Sequence, residues 1–171
     1  MTACLPADRV LEALIDTYRA YFDIETVDGQ QLKYIATMRS MTEGYILTKK
    51  ANIWRVRDEE HILIYNTQAL DADILESITT DSLSRSKDMV SPGKDHRCTI
   101  ITSIVLCDYL DRACHERVVK YTYARSFRLM LNGWMEHHLV IIPLNGDSPI
   151  CSRHAKGHVD NAMKVLGGCI E

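Results

Sequence analysis

No apolar run in this sequence approaches the ~20 residues that a helix needs to cross a bilayer. The longest lies around Ile104 to Leu106, and the N-terminus has no basic segment followed by an apolar core, so neither a membrane span nor an export leader is expected. Charge of one sign is missing too: 20 Lys and Arg stand against 23 Asp and Glu, for a net charge of -3. The balance is even along the chain, with 8 bases against 10 acids up to Asn66 and 12 against 13 beyond it. A nucleic-acid binder concentrates positive charge to displace phosphate counterions, so nucleic acid is not an expected partner. Internal repeats and low-complexity linkers are absent as well. What is present is ordinary for one globular domain: 171 residues, 46% apolar and 25% charged, a length that buries roughly 70% of the surface its unfolded chain exposes. A single domain over 1–171 is expected, with its core over about 6–144 and a C-terminal turn and helix over 145–171.

Six cysteines stand at positions 4, 98, 107, 114, 151 and 169. Cys98 and Cys107 fall in an apolar strand and Cys114 on a helix, where a free thiol behaves as a small buried hydrophobe. Without an export signal to place the chain in an oxidising compartment, a reducing cytoplasm is the expected location.

The strongest local signal is Asn132-Gly133 between two apolar-rich strands, Tyr121 to Leu144, a dipeptide suited to the positive φ of a two-residue hairpin. Phe127, Trp134 and Leu139 are its expected core anchors. Upstream, Val10, Leu11, Leu14, Ile15, Tyr18 and Phe22 recur at helical steps behind Pro6. An extended piece over 23–27 leads to Asp28-Gly29. Leu32 to Arg39 alternates as a strand does, Thr42-Glu43-Gly44 reads as a turn, and Tyr45 to Val56 as a longer strand. Asp58-Glu59-Glu60 reads as a tip before a third strand, His61 to Tyr65, which completes a three-stranded antiparallel meander. Asp71 is an N-cap with Leu70 and Leu75 as a staple. Cys98 to Cys107 is nearly continuous in β-branched and apolar residues, the signature of a strand covered on both faces. Asp108 would cap a helix carrying Leu110, Cys114, Val118 and Tyr121, and a right-handed crossover would make the Tyr123 arm parallel to the Cys98 strand. A last helix with Val159, Met163 and Leu166 would stop at Gly167-Gly168.

This order predicts an α+β fold, a mixed sheet of about six strands made of the meander and a β-α-β-hairpin unit, with helices packed on it. It resembles the restriction-endonuclease-like core, and is also compatible with small chaperone-like α+β folds if the helix near Leu110 is only a connector. Three passages carry a second resemblance: Arg39 to Trp54, with Glu43-Gly-Tyr45-Ile-Leu-Thr-Lys49-Lys50-Ala-Asn-Ile-Trp54 at its heart; Thr99 to Val105; and Ser126-Phe127 followed by Gly133-Trp134. Together they resemble a family of prokaryotic proteins of unknown function over roughly Phe22 to Leu144. That resemblance implies one domain and transfers no catalytic residue.

Five constellations could carry chemistry. A metal-dependent nuclease would need acids and an acid-x-Lys converging on a divalent cation, and Gln31-Leu32-Lys33 with Asp23, Glu25 and Glu43 is the only approach to it. Cys151, His154 and His158, with Cys169 further on, have thiolate and imidazole spacing that could hold zinc; the plain alternative is a polar approach to the last helix. Arg153 and Lys156 beside the start of that helix could receive an anion, or be a solvated basic turn. Lys49, Lys50, Trp54, Arg55 and Arg57 mix aromatic and basic groups as single-strand surfaces do, but on a strand they divide between two faces. Glu136 and His138 share one face of the second hairpin arm and, with Arg125 or Arg128, could form a ligand-binding polar site in which a histidine beside a carboxylate titrates near neutrality.

The expected function is therefore a non-catalytic binding or interaction domain, self-associating or binding a protein partner, with no cofactor and zinc only if the Cys/His tail assembles. The rival is a metal-dependent hydrolase or nuclease, active or degenerate, which requires Asp23, Glu25, Glu43 and Lys33 to meet in one cleft.

Overall fold

The computed structural model describes residues 5–45 and 52–170. Its centre is the β-branched stretch anticipated as a covered strand, β4 (His96–Leu110), which lies between β3 (Asn52–Leu70) and β6 (Trp134–Pro143), parallel to both. Outside β3 come β2 (Leu32–Tyr45) and then β1 (Asp23–Thr26), both pairings antiparallel. Outside β6 the short strands β5 (Tyr123–Ser126) and β7 (Ile150–Cys151) share its far edge, both antiparallel to it. The sheet is mixed and seven-stranded, in the order β1-β2-β3-β4-β6-β5 with β7 also on β6.

Period-two alternation divides the core into two layers. Ile62, Ile64, Ile104, Leu106, Val140 and Ile142 point to one face and meet α1 (Ala7–Tyr18) and α4 (Lys156–Ile170). Leu63, Tyr65, Ile101, Val105, Leu139 and Ile141 point to the other and meet α2 (Ala72–Met89) and α3 (Arg112–Lys120). Each aliphatic chain fully buried in this way contributes roughly 1.5–3 kcal/mol, so the two layers fix the register of the central strands. The Asp71 side chain caps α2, accepting from Ile74 N at 2.8 Å.

Several local expectations are corrected. The meander is β1-β2-β3, not three strands within 32–65: β2 runs straight through Thr42-Glu43-Gly44, and Asp58-Glu59-Glu60 lies inside β3. These polar runs stay extended because each acid faces a base: Arg55 pairs with Glu43 at 2.9 Å, Arg39 with Glu59 at 3.5 Å, and Arg97 holds Asp58. The first part of the expected strand from Tyr45 to Val56, with Lys49 and Lys50, lies outside the described residues. β4 extends past Asp108, and the cap of α3 is Asp111, which accepts from Ala113 N at 3.0 Å.

The crossover from β4 reaches β6 rather than the Tyr123 arm. β5 is an edge strand antiparallel to β6, because only the ten-residue apolar β6 can be covered on both faces. Its connection is longer than two residues, with Arg128, Leu129 and Met130 in the left-handed region (φ 49, 52 and 70). Gly133 (φ 79) does what was expected of a glycine and more: a Cβ there would stand 2.5 Å from the His96 carbonyl oxygen. Trp134 is half-buried rather than a core anchor, whereas Leu139 is fully buried. Finally, α4 continues through Gly167-Gly168 to Ile170, held by Val165 and Cys169 in the same core layer as α1.

Candidate functional site

The apolar layers occupy the C-terminal halves of the parallel strands, and their N-terminal halves are polar. By the same alternation Glu60, Thr102, Glu136 and His138 lie on the α1/α4 face, and Glu59, His61, Thr99, Ser103 and His137 on the α2/α3 face. These two polar rows meet at the outer edge of β6. Along β6 the pairing with β5 stops at His137 and the pairing with β7 starts at Val140. The gap is bridged by Ser152, whose N–H donates to Leu139 O at 2.9 Å and whose Oγ accepts from Leu139 N at 3.0 Å. The result is a notch of about 120 Å³ lined by residues that include Tyr121, Glu136, His137, His138, Arg153 and His154.

His138 is the pivot on the α1/α4 face. Its Nε2 stands 3.2 Å from Glu136 Oε2, and since a carboxylate only accepts, that nitrogen carries the proton. Glu136 is in turn held by Trp134 Nε1–H at 3.2 Å. The His154 ring lies 6.0 Å from that of His138. Burial pushes the His138 pKa below its ordinary value; Glu136 pulls the other way, and His154 and His158 reinforce the depression. His158 belongs to the adjoining stretch of the same face, where its Nε2 donates to Glu60 at 3.3 Å and its Nδ1 accepts from the Tyr18 hydroxyl at 3.0 Å. Burial raises that hydroxyl to about 12.

On the other face a buried hydrogen-bond chain leads away from the notch. Tyr121 OH meets His137 Nδ1 at 2.6 Å, His137 Nε2 meets Ser103 Oγ at 2.9 Å, Ser103 meets Ser82 at 2.5 Å, and Tyr65 OH joins Ser82 to Asp81, each at 2.9 Å. Burial first, and the neighbouring His138 second, hold His137 down to about 4, so it is a neutral link in this chain. Nearby on β3, Arg57 Nε, Glu59 Oε2 and His61 Nε2 are buried with no hydrogen-bond partner among the described residues. Arg57 and Glu59 do attract one another, but at 3.7 Å, beyond hydrogen-bonding range.

The sequence candidates divide cleanly. Glu136, His138, Arg153 and His154 come together. Arg125 instead lies over the Phe127 ring at 5.5 Å, Arg128 is on the exposed left-handed loop, and Lys156 is exposed at the start of α4. Cys151 and Cys169 pack into the α1/α4 core layer. Among the described residues, no group of three or more His, Cys, Asp or Glu side chains is placed to hold a metal ion. The acids and lysine that a nuclease would gather are spread along the outer strands: Asp23 stands opposite Thr37 and Glu25 opposite Ile35, Lys33 donates to Gly29 O at 3.1 Å, and Glu43 pairs with Arg55. Trp54 is half-exposed, and Arg57 is held at Ser91 O and Asp95.

Sequence reasoning placed His137 on the face opposite Glu136 and His138, and missed Tyr121 and Ser152 as site residues. Only the partial pairing of β6 by two short strands exposes them, and a sequence shows no sign of where pairing lapses. No helix is long and apolar enough to cross a membrane among the described residues. No curated protein matches the chain, and neither does any solved structure. A family model does match, over residues 7–164, more than the Phe22 to Leu144 core on which the resemblance was read. The chain thus belongs to the family described as a domain of unknown function, DUF8052.

Proposed function

We propose that the protein is a non-catalytic binding domain whose notch beside β6 receives a small anionic group, a carboxylate or a phosphate. The observation that carries this reading is the convergence there of Arg153, which makes no ion pair among the described residues, with His138 and His154. Size narrows the ligand. Pockets that swallow a whole small molecule run to roughly 300–1,000 Å³, whereas about 120 Å³ admits only a head group. Neither serine near the notch is free to act as a nucleophile, which favours binding over catalysis: Ser103 is fully buried between Ser82 and His137, and Ser152 is buried and committed to Leu139. A reducing cytoplasm suits the free thiols of the five described cysteines.

At neutral pH His138 is uncharged, with its proton engaged by Glu136, and Arg153 supplies positive charge. An anion in the notch favours the imidazolium and so raises the His138 pKa from its depressed value. Binding therefore strengthens as pH falls and His138 gains its proton. Calorimetric titration with acetate and with inorganic phosphate should show affinity rising about ten-fold from pH 7.5 to 5.5, and Arg153→Ala should abolish it. If millimolar concentrations of both anions leave the ring signals of His138 and His154 unmoved in an NMR titration, the reading fails.

A further inference from the structure

β1 covers only part of the outer edge of β2. Its last pairing is Asp23 with Thr37, and β2 continues to Tyr45 with β3 on its inner side alone. Among the described residues no backbone partner occupies the outer edge from Met38 onward. At the far end the β2–β3 register breaks between Gly44 and Tyr45, an irregularity that bends a strand. The free edge is therefore bounded at both ends, running over Met38–Gly44, about 24 Å at the rise of an antiparallel strand. Neither proline nor lysine stands on it, and Arg39, Ser40, Met41 and Thr42 are exposed. Exposed edges of this kind template the addition of another strand.

The sequence of that edge is complementary to itself. Its midpoint is Met41, and an antiparallel copy turned about Met41 places Met38 opposite the second copy's Gly44, Ser40 opposite Thr42, and Arg39 opposite Glu43. Longer pairing is prevented because β1 already occupies Thr37 on each copy. Arg39 and Glu43 share a face by alternation, and within each chain they already pair with Glu59 at 3.5 Å and Arg55 at 2.9 Å. Joining two copies lines these groups up across four strands as Arg55, Glu43, then the second copy's Arg39 and Glu59, so charges alternate in sign, and the two-fold repeats the row. Opposite charges directly across an antiparallel pair attract, and any other charge order at these positions would repel.

We propose that the protein forms a two-fold dimer in which the Met38–Gly44 edges of β2 pair antiparallel about Met41, joining two sheets into one. The full chain tests it directly. Light scattering after size exclusion, from 10 to 200 μM, should give twice the 19.5 kDa chain mass, and a mass of one chain throughout that range overturns the proposal. Glu43→Arg, which sets arginine against Arg39 twice per dimer, should weaken dimerisation about ten-fold with the circular dichroism spectrum unchanged. Met41→Cys decides the register independently: mild oxidation should join the introduced thiol of one copy to that of the other, a cross-linked peptide that mass spectrometry distinguishes from any formed by the native cysteines. A dimer that keeps its affinity in Glu43→Arg, or that forms without this symmetric cross-link in Met41→Cys, uses another surface and sinks the proposal.

Discussion

The sheet stops pairing in two places, and they differ in kind. Beside β6 the interruption is short, flanked by β5 and β7, bridged by Ser152, and lined by ionisable groups from both faces of the sheet. Along β2 it is seven residues long, open to solvent, and lined by side chains whose charges are already paired within the chain. A short closed interruption concentrates unmatched polar chemistry and suits a head group. A long open one offers a row of backbone donors and acceptors and suits a strand. The two edges should thus respond in opposite ways to perturbation: the notch through fold stability and pH, the β2 edge through association alone.

The largest expected effect lies on the notch side and follows from its buried histidines. His137 titrates at about 4 because burial disfavours its charge, while an unfolded histidine titrates near 6.5. Between those values the unfolded chain binds more protons, so stability that is complete above pH 6.5 is lost on acidification, by about 3 kcal/mol at pH 4 from His137 alone. His61 and His138, also lowered by burial, act in the same direction. Urea unfolding at pH 7 and pH 4 would measure it, and a flat profile would mean that His137 is not buried neutral.

Gly133→Ala should come next, at about 2 kcal/mol or more, since it places a side chain at positive φ against the His96 carbonyl. Ser152→Ala leaves the buried Leu139 N–H without its acceptor and should cost about 1–3 kcal/mol in the same assay. The smallest effect belongs to the other edge: Met41→Ser, measured at concentrations low enough to keep chains separate, should change stability by no more than about 0.5 kcal/mol. A large loss there would show that β2 is held by something other than β3.

The frame of this fold was legible because it rests on periodicity and local chemistry. The apolar stripe from Val10 to Tyr18, the cap at Asp71 and the covered strand around Ile104 each needed only neighbouring residues to specify them. The errors cluster where a distant partner reverses a local preference. Asp58-Glu59-Glu60 looks like a turn until Arg97 and Arg39 stand beside it, and Gly167-Gly168 looks like a helix stop until Val165 and Cys169 anchor the helix around them. The candidate site was legible in half. Glu136 and His138 show themselves by spacing two residues apart on a strand, Arg153 by its place near the start of a helix, and His154 by its spacing from Cys151 and His158. That the two pairs meet depends on β7 docking against β6.

The sequence by itself determined the helices, the central buried strand and the alternation of residues along it, because each of these follows from hydrophobic period and short-range hydrogen bonding. Only the tertiary structure decided which strands neighbour which, and with that where the sheet's edges are left open. Strand order is a contest among long-range burials: β6 outcompeted β5 for the place beside β4 because only it could be covered on both faces. The notch, and the free edge of β2, are what that contest left unpaired.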